Sequence, residues 1–163
     1  MMIEVAEPRD FPAILRMNRE WEHFLSPLDE TRLSWLHEMA AYHRVIRHHD
    51  QAVAFLLAFA PNCAYDSSNY RWFDRRYDDF VYIDRVVVSD AVQGQGAGRL
   101  LYQDLMDWAR AKGWHRVCCE FDLEPPNERS RHFHESFGFE QQAVQSDPNT
   151  GKKVGLQQCR LTG

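Results

Sequence analysis

Apolar residues along the chain switch between helical spacing and strand-like runs, and the switches mark out the elements. Residues 2–5 read as a short strand. Residues 10–24 read as a helix, with Ile14, Leu15, Met17 and Trp21 at helical spacing, Asp10 as N-cap and Pro12 in the first turn. After Ser26-Pro27, residues 29–42 give a second helix with Leu33, Leu36 and Met39 on one side. Strands at 43–48 and 52–59 follow, joined by a turn at His49-Asp50-Gln51. Residues 61–79 show no clear period, but they are crowded with Tyr65, Tyr70, Trp72, Phe73 and Tyr77 among acids and arginines, the composition of a functional loop.

Residues 80–88 are β-branched and aromatic nearly throughout, as a central strand covered on both faces would be. A glycine-rich loop leads into a helix at 97–111, which carries Leu101, Leu105 and Trp108 as a stripe and ends at Gly113. Residues 116–121 form another strand. Pro125-Pro126-Asn127 opens a helix at 128–137, in which Phe133 and Phe137 are one turn apart and which Gly138 stops. Strands near 139–144 and 154–161, joined by the turn-rich Asp147-Pro148-Asn149-Thr150-Gly151, complete a β-α-α-β-β-β-α-β-α-β-β order. This order describes one α/β domain over residues 1–163 with a mixed sheet.

Composition narrows the function classes. The chain has 163 residues, is 44% hydrophobic and 13% aromatic, and carries a net charge of -5. The first figures fit a single folded core, and the charge argues against general nucleic-acid binding while mildly favouring a neutral or cationic small partner. The longest apolar stretch, residues 52–60, falls far short of a membrane span. The N-terminus lacks the features of a signal peptide, so a cytoplasmic location is expected. Cys63, Cys118, Cys119 and Cys159 form no CxxC pair and are expected to be reduced thiols. His48-His49 and His132-x-His134 lack the i, i+4 spacing of a helical zinc pair, so no metal site is expected.

The most informative segment is Gln93-Gly94-Gln95-Gly96-Ala97-Gly98, which follows a strand and opens a helix. Amide groups at a helix start lack intrahelical acceptors, the helix dipole favours negative charge there, and small residues admit close approach of an anion. A phosphate fits such a place; a glycine-rich turn without ligand is the plain alternative. The spacing is a poor match to the dinucleotide-binding GxGxxG, and the Gly-Lys-Ser/Thr ending of a triphosphate P-loop is missing.

These residues resemble the GNAT superfamily of N-acetyltransferases, whose signature of Gln or Arg, two residues, Gly, one residue, then Gly or Ala reads here as Gln93-x-x-Gly96-x-Gly98. The resemblance extends to Ile83-Asp84-Arg85-Val86-Val87-Val88 and to the segment from Asn127 to Phe139, so it covers about a third of the chain. It implies a GNAT-like mixed, mostly antiparallel sheet flanked by helices on both faces. The activity it implies is transfer of an acetyl group from acetyl-CoA to an amine by direct attack. By the resemblance, Val86, Val87 and Val88 align the pantetheine arm and acyl carbonyl through backbone groups, Gln93 to Gly98 bind the pyrophosphate, and Asn127, Ser130 and Phe133 contact the coenzyme from the other side. The coenzyme is expected in a gap between the strands at 80–88 and 116–121. Core packing of Val86, Val88 and Phe133 is compatible with that role, because the family uses their backbone or shape, whereas helix capping explains Asn127 equally well.

Where the family often places a Tyr that protonates the departing thiolate, this chain has His134. An imidazolium releases a proton more readily at neutral pH than a phenol, their ordinary pKa values being about 6.5 and about 10. His134 is therefore a candidate acid, or simply a partly exposed helix residue. Asp84 and Glu120 are the candidate bases for the attacking amine, with pairing to Arg85 or Arg116 as the structural alternative for Asp84. Tyr65, Asp66, Asn69 and Trp72 either wall an acceptor pocket or fasten a long loop, and Trp21, Glu22 and Phe24 are further pocket candidates. The acceptor is expected to be an amine of a small molecule or peptide. A homodimer is compatible with the family's habit. A non-catalytic acyl-CoA-binding module and a general phosphate-ester binder are the competing readings.

Overall fold

The computed structural model describes residues 1–23, 25–124, 126–147 and 151–162. Phe24, Pro125 and the turn residues Pro148, Asn149 and Thr150, all used in the expectations above, lie outside the described residues. The strands are β1 (Met2–Val5), β2 (Tyr42–His48), β3 (Gln51–Phe59), β4 (Val81–Val88), β5 (Arg116–Glu124), β6 (Glu140–Ser146) and β7 (Lys153–Arg160). The helices are α1 (Phe11–Glu20), α2 (Glu30–Met39), α3 (Ser68–Asp74), α4 (Ala97–Ala111) and α5 (Glu128–Ser136). One mixed sheet runs β1-β2-β3-β4-β5-β7-β6, antiparallel at β1–β2, β2–β3, β5–β7 and β6–β7 and parallel at β4–β5. This is the mixed, mostly antiparallel α/β fold implied by the resemblance.

The chain divides into two compact units, residues 1–59 with 83–107 and residues 60–82 with 108–163. In the first, Ile14 and Met17 of α1 and Leu33 and Leu36 of α2 are buried with Ile46 and Phe55 of the β2–β3 hairpin. Several element ends differ from the sequence expectation, each for a physical reason. Asp10 occupies the N-cap position of α1, as expected, but its side chain makes no cap hydrogen bond to that helix. It is 4% exposed, its carboxylate accepts two hydrogen bonds from Arg47 at 2.6 and 2.9 Å, and it also accepts from the Glu7 amide. A buried Arg47 that also pairs with Glu4 needs that carboxylate more than the helix does.

The first helix stops at Glu20, where the Trp21 amide closes it by donating to the Asn18 carbonyl, and the second stops at Met39 because Tyr42 joins β2 opposite Ala58. There the Tyr42 hydroxyl donates to Asp104 of α4 at 2.7 Å, with Arg44 on the same carboxylate at 2.8 Å. The hairpin turn is two residues, His49 and Asp50, both at positive φ (51° and 63°) as a tight turn of the primed type requires. Gln51 pairs with His48 and belongs to β3 rather than to the turn.

In the second unit, the region read as an irregular loop contains α3, whose N-cap Ser67 accepts from the Tyr70 amide. The helix is only seven residues long, too short for a periodic signal to emerge, and it is held by aromatic packing. Tyr70 and Phe73 are fully buried, with ring centroids 5.7 and 5.9 Å from Tyr82, and Tyr70 lies 5.9 Å from Phe80. β5 runs three residues beyond its expected end, continuing its pairing with β7 through Asp122 and Glu124. All four cysteines are free thiols.

Candidate functional site

β4 alternates in burial: Ile83, Arg85 and Val87 are buried, whereas Asp84, Val86 and Val88 are only half-buried. The strand is therefore not covered on both faces, and the open face carries two of the backbone positions expected to meet the coenzyme. Arg85 is 5% exposed and its guanidinium makes four hydrogen bonds to close partners. It donates to Asp84 at 2.6 Å, to Asn18 Oδ1 at 2.9 Å, and to the carbonyl and hydroxyl of Ser26 at 3.0 and 2.8 Å. Asp84 thus carries the structural partnership foreseen for it, since a carboxylate buried to this degree needs a cation. Asn18 is fully buried four residues after Ile14, so a polar side chain on the apolar stripe of the first helix was the sequence signal for this cluster.

After Val88 the chain makes a tight turn into the glycine loop. The Ser89 amide donates to the Val53 carbonyl at 2.9 Å, and the Val92 amide donates back to the Ser89 carbonyl at 3.0 Å. Gly94 and Gly96 both sit at φ +79°, a conformation that L side chains rarely adopt, and a Cβ at either would meet nothing within 4 Å. Both glycines are thus required by backbone conformation and face open space. α4 starts at Ala97, its first turn closed by the Leu100 amide donating to the Gly96 carbonyl at 3.0 Å. Gln93, Gly94, Gln95 and Gly96 are exposed, Ala97 is buried and Gly98 is half-buried. The Gln93 amide donates to the Asp90 carbonyl at 3.4 Å, and the exposed residues after it, Gly94 to Gly96, lead into the positive end of a 15-residue helix, a composition and position that fit a pyrophosphate.

The exposed Gln93 side chain folds back onto the end of β4. Its amide donates to the Val88 carbonyl at 2.9 Å, and the Trp21 indole donates to the same oxygen at 3.3 Å.

In the second unit, Asn127 caps α5 by accepting from the Ser130 amide at 3.1 Å, so its capping role is realised. The His134 Nδ1–H donates to the Ser130 carbonyl at 2.7 Å, with the Ser130 hydroxyl 3.3 Å away, and Phe133 and His134 meet edge to face. His134 is 6% exposed, and burial lowers its pKa below the ordinary histidine value against the opposing pull of the Ser130 carbonyl. The ring is therefore neutral at pH 7 with its proton on Nδ1. That state differs from the imidazolium expected of a proton donor and from a partly exposed helix residue. Glu120 is half-buried on β5 opposite Leu156.

The four acceptor candidates divide by environment. Tyr65 is buried with its ring 5.7 Å from Tyr70, whereas Asp66 is exposed. Asn69 is 8% exposed and accepts from Gln145 of β6 at 2.9 Å, a partner that sequence reasoning missed because nothing marks one polar residue in a polar edge strand. Trp72 is half-buried with the Arg76 guanidinium 3.9 Å above its ring. Tyr65 and Asn69 therefore help to fasten α3, while Asp66 and Trp72 keep accessible surface. Among the described residues, no group of three or more His, Cys, Asp or Glu could hold a metal ion, and no helix is long and apolar enough to cross a membrane.

Comparison with known proteins agrees with this geometry. No curated protein matches the sequence significantly. Among solved structures, Ard1 from Thermoplasma volcanium superposes with a TM-score of 0.81 at 13% identity, over 99% of this chain and 98% of that one. The ribosomal-protein-S18-alanine N-acetyltransferase of Escherichia coli gives 0.75 at 15% identity, over 99% and 94%. YncA from Salmonella typhimurium, solved with its cofactor acetyl-CoA, gives 0.74 at 22% identity, over 100% and 95%. At such identities the likeness is one of fold, but the acetyltransferase (GNAT) family model matches residues 8–139 directly. The chain belongs to the acetyltransferase (GNAT) family.

Proposed function

We propose that this protein transfers an acetyl group from acetyl-CoA to an amine of a small molecule or peptide by direct attack. The observation that carries the reading is the loop from Gln93 to Gly98. Two glycines at positive φ open exposed amides at the head of α4, where the pyrophosphate of the coenzyme would be held. The half-open face of β4 supplies the backbone of Val86 and Val88 for the pantetheine arm. Since the Val88 carbonyl already serves Trp21 and Gln93, that oxygen is committed to shaping the loop.

The chemistry needs a neutral amine, attack on the thioester carbonyl and departure of a thiolate. Glu120 is the proposed base for the amine proton, because Asp84 is held by Arg85. The thiolate leaves without an imidazolium: a thiol pKa of about 8.5 makes it a tolerable leaving group, and His134 is kept neutral by burial. The solved relatives include an enzyme named for acetylating a ribosomal-protein alanine, which supports peptide amines as one acceptor class to test.

A non-catalytic acyl-CoA-binding module is the second reading. It is favoured by the engagement of two candidate catalytic groups in structural bonds, Asp84 with Arg85 and His134 with Ser130. Release of free CoA on addition of amines distinguishes the two. The enzyme reading expects CoA release that depends on the amine and falls at least about a hundred-fold in Glu120→Gln, the usual scale for loss of a general base. Coenzyme binding without release across small-molecule and peptide amines would leave the binding module standing.

A further inference from the structure

We infer that Trp21 is a positioning residue of the coenzyme loop, acting through the carbonyl of Val88. The inference rests on the acetyl-CoA reading and adds to it a residue outside the family signature. The carbonyl of Val88 is the last of β4, and two donors from different parts of the chain converge on it. These are the Gln93 side-chain amide at 2.9 Å and the Trp21 indole N–H at 3.3 Å. A carbonyl oxygen has two lone pairs, so this pair of bonds fills it.

The loop that follows needs such a clasp. Its two glycines at φ +79° are residues with a large conformational freedom to lose, and a loop that samples many shapes would have to be ordered at the expense of ligand affinity. The Ser89 amide bond to Val53 fixes where the loop leaves the sheet. The Gln93 amide folds the loop back onto the strand end. Trp21 fixes the same oxygen from outside the loop, so the Gln93 bond has a stationary acceptor.

Trp21 is itself well placed to be stationary. It follows α1 directly, its amide donates to the Asn18 carbonyl at 3.1 Å, and Asn18 is fully buried. The Asn18 side chain donates to the Ser26 carbonyl at 3.1 Å and accepts from Arg85. The end of α1 and the residues after it are therefore tied to β4 at two points, Arg85 through Asn18 and Ser26, and Val88 through Trp21. The two ties bracket Val86 and Val87. Coenzyme binding and the order of Asn18, Trp21 and Ser26 are thereby coupled.

The test compares wild type with Trp21→Phe, which keeps an aromatic ring and removes the N–H. It uses calorimetric titration with acetyl-CoA, ligand-free thermal unfolding, and amide hydrogen exchange resolved by segment. Gln93→Met, a change on an exposed side chain that should leave folding intact, serves as the second variant. Loss of one hydrogen bond of ordinary strength predicts about five-fold weaker acetyl-CoA binding in each variant. It also predicts faster exchange across residues 93–98, unchanged exchange in the β2–β3 hairpin, and a ligand-free Tm within about 4 °C of wild type on that same bond energy. Unaltered affinity in Trp21→Phe, or an affinity loss accompanied by a uniform rise in exchange and a large fall in Tm, overturns the inference. A wild type that takes up no acetyl-CoA overturns the coenzyme reading and the binding half of the inference with it. Unchanged exchange at 93–98 in Trp21→Phe sinks the clasp independently.

Discussion

At the scale of single residues, Gly96 carries the sharpest consequence of the account. A Cβ there has room, so the conformation at φ +79° rather than a clash requires glycine, and a side chain at this point would stand where the coenzyme's pyrophosphate is proposed to bind. Gly96→Glu adds strain of roughly 1 kcal/mol and a negative charge at the anion position. The protein is expected to fold, with a small fall in Tm, and to lose acetyl-CoA binding by calorimetry. Retained affinity would place the pyrophosphate elsewhere.

Two buried histidines give the protein a specific response to acid. His43 is 6% exposed and shares a 2.8 Å Nδ1 contact with His37; burial first, and then His37, push its pKa down to about 3. Burial lowers the pKa of His134 as well. In both cases the folded value lies below the unfolded one of about 6.5, so the unfolded chain binds more protons as pH falls. The stabilising contribution is complete above about pH 6.5 and is lost progressively below it. For His43 the loss between pH 7 and pH 5 is about 2 kcal/mol. Denaturant unfolding at those two pH values should show at least this drop, and His43→Gln should flatten the slope. A stability independent of pH over this range would contradict the buried neutral state.

At the scale of elements, β7 depends on a close approach. Gly155 lies opposite Phe121 of β5, and a Cβ built on it would fall 2.6 Å from the ring Cζ. Gly155→Ala should therefore destabilise by about 1–3 kcal/mol through overpacking, and Phe121→Leu in the same chain should recover part of the loss. Additive effects in denaturant unfolding would show that the ring and the glycine are not coupled. The glycine loop and α4 were legible in the sequence, with the helix bounds as expected, because strand, turn chemistry, apolar stripe and terminal glycine all point the same way there. α3 was not legible. Its seven residues hold through Tyr70, Phe73, Phe80 and Tyr82, partners that local period does not reveal. The same limit hid the roles of Asp10, Asn69 and Val88, each set by a partner more than thirty positions away. Residues such as Gly94 and Gly96 that act through their own backbone could be read directly, whereas residues that act through a distant partner could not.

For the molecule as a whole, the family and the fold agree with the proposed uptake of acetyl-CoA through the glycine loop. The most direct measurement is thermal unfolding of the protein with acetyl-CoA, with CoA, and with ATP as a triphosphate control. Ligand at about a hundred times its dissociation constant stabilises by about 2.7 kcal/mol, which corresponds to a rise of roughly 5–10 °C for a chain of this size. Such a rise is expected with acetyl-CoA and CoA, little or none with ATP, and none with either coenzyme in Gly96→Glu. An unfolding temperature that millimolar acetyl-CoA leaves unchanged, or that ATP raises equally, would contradict that uptake.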